Sequence, residues 1–581
     1  MLKPILTAIA FMCFMFFNAS YGQESPDRVI SNDVWGTYTQ NVANQLDGIT
    51  PSTHPHIKGV PFIILWSDLE PSNGDFKFQE IIGSKLKDLD AWDWNCYVMV
   101  WVAHAKRDGK WARTPQWLFE KEGVPLVEMT DSKDGYPYYL HPTYKQYYHR
   151  MLTELGKYLL GLPDSLRKRV LFIQCCEGST GDQSPYKKKT PKNPSYNISD
   201  NEWAAFRKEA WAACIDGLTE KGVQKVPMLV NPDDGKFGDE FGYLLSIAKG
   251  PIGIKEGGLT HGYHSNYAKG RVEGMLAMRR RADEAGIDFF ARGEMNEWES
   301  HFISLNTPQG LYWSALLVVH GGINMWNLQY RAAEGEKHIA AIDICNKYCG
   351  AIKPKESKSA FIALRHGLDA SDTESFPENK YGNADQKNKD RYKTIVTKFS
   401  AYGAEINSIN DAMGGGMKSR RRDVRNDVGW EITRGNWQRH IRQIDENETS
   451  VGWWQIDETI YGRFARGFEP SSGKNSLFFD LDDDFFGGTP LNGSQAIKVK
   501  VIYRDGDAGS WQLKYDATDG TMKVAMNITN LGSDEGWKTA EVTLADAYLG
   551  NRGQRGADFM LMNTGQTNCR FHMIAVDKTG Q

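Results

Sequence analysis

At 581 residues the chain exceeds the size at which one hydrophobic core usually stops growing, so two domains are the starting expectation. Its 69 basic and 73 acidic residues leave a formal net charge of -4, which gives no global electrostatic case for a nucleic-acid partner. Eight cysteines at irregular spacing offer no convincing metal framework.

The first stretch, MLKPILTAIAFMCFMFFNASYGQE, places Lys3 ahead of an apolar run from Ile5 to Phe17, with Ser20 and Gly22 behind it. That order predicts a signal peptide over 1–22, and the run is too short to span a membrane comfortably. Cys13 lies inside the run instead of just after it, which speaks against a lipoprotein cysteine. The mature chain is therefore expected to be secreted or periplasmic, with no stable membrane insertion. Export permits disulfides, but the adjacent Cys175 and Cys176 point to opposite sides of a strand. Most of the seven remaining cysteines read as small buried hydrophobes.

From residue 33 the sequence alternates between apolar runs of strand length and helical patterns. DVWGTYT (33–39), VPFIILW (60–66), CYVMVWVAH (96–104), RVLFIQ (169–174), VPMLVNP (226–232), IGIKEGG (252–258), IDFFARGE (287–294) and GGINMWNLQ (321–329) are the strand candidates. Helical periodicity fills 144–162, 201–222, DEFGYLLSIAKG, the stretch ending in the cationic run at 279–281, and 308–319. Continuous apolar strands alternating with helices predict a parallel sheet. Eight of them, with no Gly-rich dinucleotide loop after an early strand, predict a (β/α)8 TIM barrel over 23–350.

The pattern loosens over 351–422, an extension and connecting segment that ends in the glycine and arginine-rich MGGGMKSRRRD. Beyond it the period falls to two. Short alternating segments separated by Gly, Asn and Asp turns predict an antiparallel, jelly-roll-like β-sandwich over 423–581. Trp511 and Tyr515 are expected either on an exposed glycan-binding face or, preferentially, packed at the junction with the barrel.

In a barrel the active site gathers at the C-terminal ends of the strands. Glu177 follows the fourth strand in QCCEGSTGD and Glu294 ends the seventh in FFARGEMNEWE, so the two are expected to face each other across the mouth. Hydrolysis of a glycosidic bond needs a proton donor for the leaving oxygen and a carboxylate for the anomeric carbon. Glu177 is the candidate acid/base and Glu294 the candidate nucleophile, with Glu297 an alternative if the strand runs on. The retaining mechanism would place the two carboxyls about 5 to 5.5 Å apart.

With these glutamates, and with the stretch WSDLEPSNGDFKF at 66–78, the chain resembles the clan of retaining glycoside hydrolases with β/α barrels, notably β-galactosidases and β-agarases. The resemblance spans roughly 33–350 and implies an acid/base after strand four and a nucleophile after strand seven. It departs where many members have an Asn-Glu pair and this chain has Cys176-Glu177. Segments such as YGRFARGF and FFDLDDDFFGG look like accessory sandwiches of exported enzymes of algal galactan breakdown. The implied activity is that of a β-galactosidase or endo-β-galactanase acting on agar, porphyran or carrageenan. A noncatalytic carbohydrate-binding protein built on the same barrel is the alternative.

Sugar rings stack on aromatic faces and need placed polar partners. Trp66, Trp101, Trp298 and Trp326 lie at predicted strand ends, with Trp326 the preferred floor of the catalytic subsite and Trp66 open to a packing role. His104, His261 and Tyr263, with His264 close by, stand as substrate contacts or rim packing. The lysines of KKKTPK (187–192) are either a solvated loop or an attraction for a sulfated chain. No redox cofactor is needed and no metal ligands are assigned, but DLDDDFF leaves room for a structural calcium. A polysaccharide or oligosaccharide is the expected partner, and the sequence leaves the oligomeric partner open.

Overall fold

The computed structural model describes residues 30–40, 48–178, 181–257, 268–295, 303–405 and 428–580, less positions 431, 458, 460, 507, 531 and 533–535. Eight parallel strands close into a barrel in the order expected from the sequence: β1 (Gly36–Gln40), β2 (Gly59–Leu65), β3 (Asn95–Trp101), β4 (Val170–Gln174), β5 (Met228–Val230), β6 (Ile252–Glu256), β7 (Phe289–Met295) and β8 (Met325–Gln329). β8 pairs with β1 over five residues, which seals the ring.

The helices outside the ring include Ser84–Ala91, after β2, and α1 (Pro142–Leu160), α2 (Asp200–Gly217), α3 (Glu240–Ile247), α4 (Ala268–Glu284), α5 (Thr307–His320) and α6 (Ile339–Tyr348). Proline in the first turn of α1 suits a position whose N–H lacks an intrahelical acceptor. A complete Ser199–Glu202 capping box starts α2. The two helices meet at Gly156 and Gly217, where a Cβ on Gly156 would lie 2.3 Å from the Gly217 carbonyl oxygen. Between β3 and α1, four short strands at 106–107, 110–111, 126–128 and 135–137 form a small antiparallel sheet.

The C-terminal region is two antiparallel sheets. One takes β9 (Ser359–Ala363), β10 (Trp437–Arg439), β12 (Val451–Trp453), β13 (Ala465–Gly467), β15 (Ile497–Arg504), β18 (Trp537–Leu544) and β20 (Arg570–Lys578). The other takes β11 (Ile441–Ile444), β14 (Ser476–Leu481), β16 (Ser510–Asp516), β17 (Met522–Thr529) and β19 (Phe559–Asn563). Val499, Leu513, Phe479 and Leu561 bury a shared core, so the two sheets pack as a sandwich. β9 pairs with both β10 and β20, which carries the sandwich back into the stretch that looked like a connector.

The sandwich keeps a core of its own between its two sheets, and the outer face of its first sheet packs into the core of the barrel. Phe361, Trp437, Phe464 and Met573 belong to the same buried cluster as the barrel wall. Trp313 on α5 stacks on Phe464 at 3.7 Å and donates its indole N–H to the Tyr461 carbonyl. Trp511 and Tyr515 take neither expected place. Both are buried inside the sandwich, Trp511 against Tyr503 and Phe571, because their alternating side of β16 faces the opposite sheet. The seven cysteines among the described residues are buried, and none of them is in a disulfide. Among those residues no helix is long and apolar enough to cross a membrane.

Candidate active site at the barrel mouth

Side chains alternate along a strand, so one known contact fixes the face of its neighbours. In the barrel interior Phe172 stacks on Tyr97 at 4.9 Å and packs on Phe290 at 5.0 Å. Two residues further along β7, Arg292 lies with its guanidinium 4.8 Å from the centre of the Tyr97 ring. Its Nη1 donates to Gln174 Oε1 at 2.8 Å and its Nε to Asn327 Oδ1 at 2.6 Å. These groups form a polar layer above the aromatic one, in the stacked manner of a filled barrel.

Glu294 stands one step higher, on the same inward face as Arg292. Gln40 Nε2 donates to its Oε2 at 3.1 Å, Lys255 Nζ lies 2.9 Å from Oε1, and Arg292 Nη2 lies 3.6 Å from Oε2. The Glu294 side chain is 16% exposed and that of Lys255 13%. This is a carboxylate held at the rim by two cations and an amide, still open to the mouth.

Around it, several buried polar atoms have no hydrogen-bond partner among the described residues: Gln40 Oε1, Tyr97 Oη, Trp101 Nε1 and Gln174 Nε2. Burial pushes the Tyr97 phenol up to about 12, so it remains a neutral donor. Buried polar groups are normally satisfied, and each exception asks for a missing partner. Trp101 shares the inward face of β3 with Tyr97, and Arg113 covers its ring at 4.4 Å.

Glu177 goes the other way. Phe172 and Gln174 face inward, and Glu177 emerges on the outer side of the wall under α2, with 1% of its surface exposed. Trp211 Nε1 donates to its Oε1, and Arg207 Nε lies 3.8 Å from its Oε2. Arg207 in turn donates to both oxygens of the buried Glu240 at 2.9 and 2.8 Å. Burial, with the charge of Glu177 adding, pushes Glu240 up to about 7 despite its cation. The two carboxylates expected to face each other across the mouth therefore stand on opposite sides of the barrel wall. The expectation counted strands correctly and missed the parity of the residue beyond the strand end.

The other expected residues divide similarly. Trp66 is fully buried, its indole N–H on Glu70 Oε2 at 3.0 Å and its ring against Tyr144 and Tyr148. Glu70 also accepts from the Gly74 backbone at 2.8 Å and from Arg150, so the WSDLEPSNG stretch holds its own turn. Trp326 is fully buried as well. Its neighbour Asn327 faces inward to Arg292 and the Thr39 carbonyl, which turns Trp326 toward the helices instead of the subsite floor. His104 is close to the mouth, its Nδ1 3.1 Å from Arg113 Nη1 and its Nε2 3.7 Å from Asp134. Burial and then Arg113 push it down to about 4, so it is neutral near pH 7. His261, Tyr263, Glu297 and Trp298 lie outside the described residues.

Sequence reasoning missed Gln40, Gln174, Lys255, Arg292 and Asn327. A signal was present for Arg292, which precedes Glu294 by two and so shares its face. The lysines at 187–192 are largely paired: Lys187 with Asp182 at 3.5 Å, Lys189 with Asp134, and Lys192 with Glu128 at 3.0 Å. In the sandwich, Asp480 is taken by Arg442 and Asp483 by Asn551. Among the described residues no group of three or more His, Cys, Asp or Glu is placed to hold a metal ion.

No family model matches the chain, and no curated protein matches it. Among solved structures, the catalytic domain of a β-amylase from Paenibacillus polymyxa is similar at TM-score 0.40 and 8% identity, over 55% of this chain and 99% of that one. A β-galactosidase from the psychrophilic Marinomonas ef1 is similar at TM-score 0.37 and 10% identity, over 54% of this chain and 59% of that one. Two fungal β-1,4-galactanases give TM-score 0.27 and 10% identity, over 47% of this chain and 78% of the other. At these values the likeness decides nothing about activity, and the assignment of the barrel rests on its own strand pairing.

Proposed function

We propose that the protein is an exported glycoside hydrolase that cleaves β-galactosidic linkages in an algal galactan, with Glu294 as its nucleophile. The observation that carries this reading is the inward-facing Glu294 at the rim of β7, flanked by Lys255, Arg292 and Gln40. The unpartnered polar atoms beneath and beside it suit a polyhydroxylated ligand, whose hydroxyls both donate and accept. Glu294 would attack the anomeric carbon as the glycosidic C–O bond breaks, the departing oxygen taking a proton from water at the open mouth, and a second water would then hydrolyse the glycosyl ester and restore the carboxylate. The galactan is favoured by the sequence resemblance of the 66–78 stretch and of the sandwich segments.

Glu177 lies behind the wall and acts there as a positioning group for α2. Substrates whose leaving group scarcely needs protonation are therefore expected to turn over best. The same observation favours a second reading, a noncatalytic carbohydrate-binding barrel.

Incubation with neutral agarose, porphyran and carrageenan oligosaccharides and with an aryl β-galactoside separates the two. New reducing ends or aryl release, lost in Glu294→Gln, support hydrolysis. Binding with no product from any of these substrates supports the second reading.

A further inference from the structure

A cavity of about 600 Å³ opens beside the mouth, between the ends of β5 and β6 and helix α4. That volume lies within the usual range for a small-molecule site. Lys255, which holds Glu294, is part of its lining, so the cavity adjoins the proposed reaction centre.

Two features mark it as built. Gly270 and Gly274, one turn apart on α4, line it, and a Cβ on either would meet nothing within 4 Å. Glycine inside a helix costs stability relative to alanine, and these two exposed glycines leave the α4 side of the cavity bare. The lining also mixes the apolar Met275 and Met278 with the carboxylates of Asp233 and Asp234 and the amide of Asn231. Thioethers against one side and hydrogen-bonding groups on the other suit a ring with one apolar face and a hydroxylated edge.

The charges narrow the ligand. Arg271 reaches both oxygens of Glu256 at 3.1 Å, and Lys255 is paired with Glu294. Among the described lining residues three carboxylates, Asp233, Asp234 and Glu256, stand against the two cations Lys255 and Arg271, with Arg281 3.5 Å from Asp234. A sulfate or carboxylate group entering this space would have to displace an ion pair and face carboxylates. We propose that the cavity is a subsite for one neutral sugar unit of the substrate chain and that it disfavours a sulfated unit. The proposal rests on the carbohydrate reading of the barrel mouth, but not on turnover.

The test is calorimetric binding to the full chain carrying Glu294→Gln, so that hydrolysis plays no part. The probes are a neutral agarose hexasaccharide and a sulfated κ-carrageenan hexasaccharide. The neutral probe is expected to bind at least tenfold more tightly. Adding Gly274→Leu, which fills the cavity and removes a helix glycine, should weaken the neutral probe at least tenfold while the melting temperature stays equal or rises. Gly274→Ala, with its short side chain, should leave affinity within threefold and provides a folded control. Equal or tighter binding of the sulfated probe, unchanged affinity in Gly274→Leu, or no binding of either probe would overturn the proposal. Loss of hydrolysis in the unmutated chain would instead count against Glu294 as nucleophile and leave the binding result to stand alone.

Discussion

The rims of β4 and β7 carry the same residue type and hold it in opposite ways. At β7 the carboxylate of Glu294 faces the mouth between Lys255, Arg292 and Gln40. At β4 the carboxylate of Glu177 is shut under α2, bound by Trp211 and shared with Glu240 through Arg207. The difference shows that an acid near a strand end reaches the mouth only when its parity turns it inward. One face of the wall offers ligand contact and the other offers packing, and a shift of one residue exchanges them.

The sharpest way to separate the two rims is to remove each carboxylate's charge. Glu294→Gln is expected to lower turnover of an aryl β-galactoside by about 10³-fold or more, as loss of a nucleophile does, with little change in melting temperature. Steady-state kinetics beside a thermal melt reads both.

Glu177→Leu should show the reverse balance. Taking one carboxylate from a buried ion network costs roughly 3 to 5 kcal/mol, measurable by urea unfolding. The ratio of turnover on an aryl glycoside to that on the natural linkage should stay constant, because Glu177 protonates neither leaving group. A selective loss on the natural linkage would break the comparison and restore Glu177 as the acid.

The network behind β4 also has a pH signature. Glu240 is raised from 4.5 to about 7, so the folded protein holds this proton more tightly than the unfolded chain. Its contribution to stability is complete below about 4.5 and is lost as pH rises through 7, by an amount on the order of 3 kcal/mol. Unfolding midpoints of the native chain and of Glu240→Gln between pH 4.5 and 8 should diverge in that window, the variant lacking the slope. A parallel pH dependence would remove Glu240 as the cause.

The smallest effect belongs to Trp211→Phe, which keeps an aromatic six-membered ring and deletes the N–H that serves Glu177 Oε1. Leaving that oxygen without its donor should cost about 1 to 3 kcal/mol, with the Michaelis constant for the aryl glycoside unchanged.

Much of the fold was legible because its signals repeat. The eight apolar runs and intervening helices each carry their own periodicity, and the order 36–40 through 325–329 follows from counting them. The sandwich was legible in its turns but not at its start, since Ser359–Ala363 is one short strand amid polar sequence and becomes recognisable only through its pairing with β10 and β20. The inward direction of Glu294 was legible because it lies within an uninterrupted strand. Glu177 was misread because it lies three residues beyond Gln174, where the regular alternation has no strand to continue it and only Trp211 and Arg207 decide its side. Trp66 and Trp326 show the same limit, since an aromatic near a strand end serves the mouth or the helix layer with equal ease until its neighbours are placed.

The proposed hydrolysis requires the β7 carboxylate, and not the β4 one, to meet the sugar. Treating the protein with a 2-deoxy-2-fluoro-β-galactosyl fluoride and mapping the labelled peptide by mass spectrometry tests this most directly. The account predicts a single glycosyl adduct on Glu294. An adduct on Glu177 or Glu297, or no adduct under conditions where the reagent is shown to bind, would contradict it.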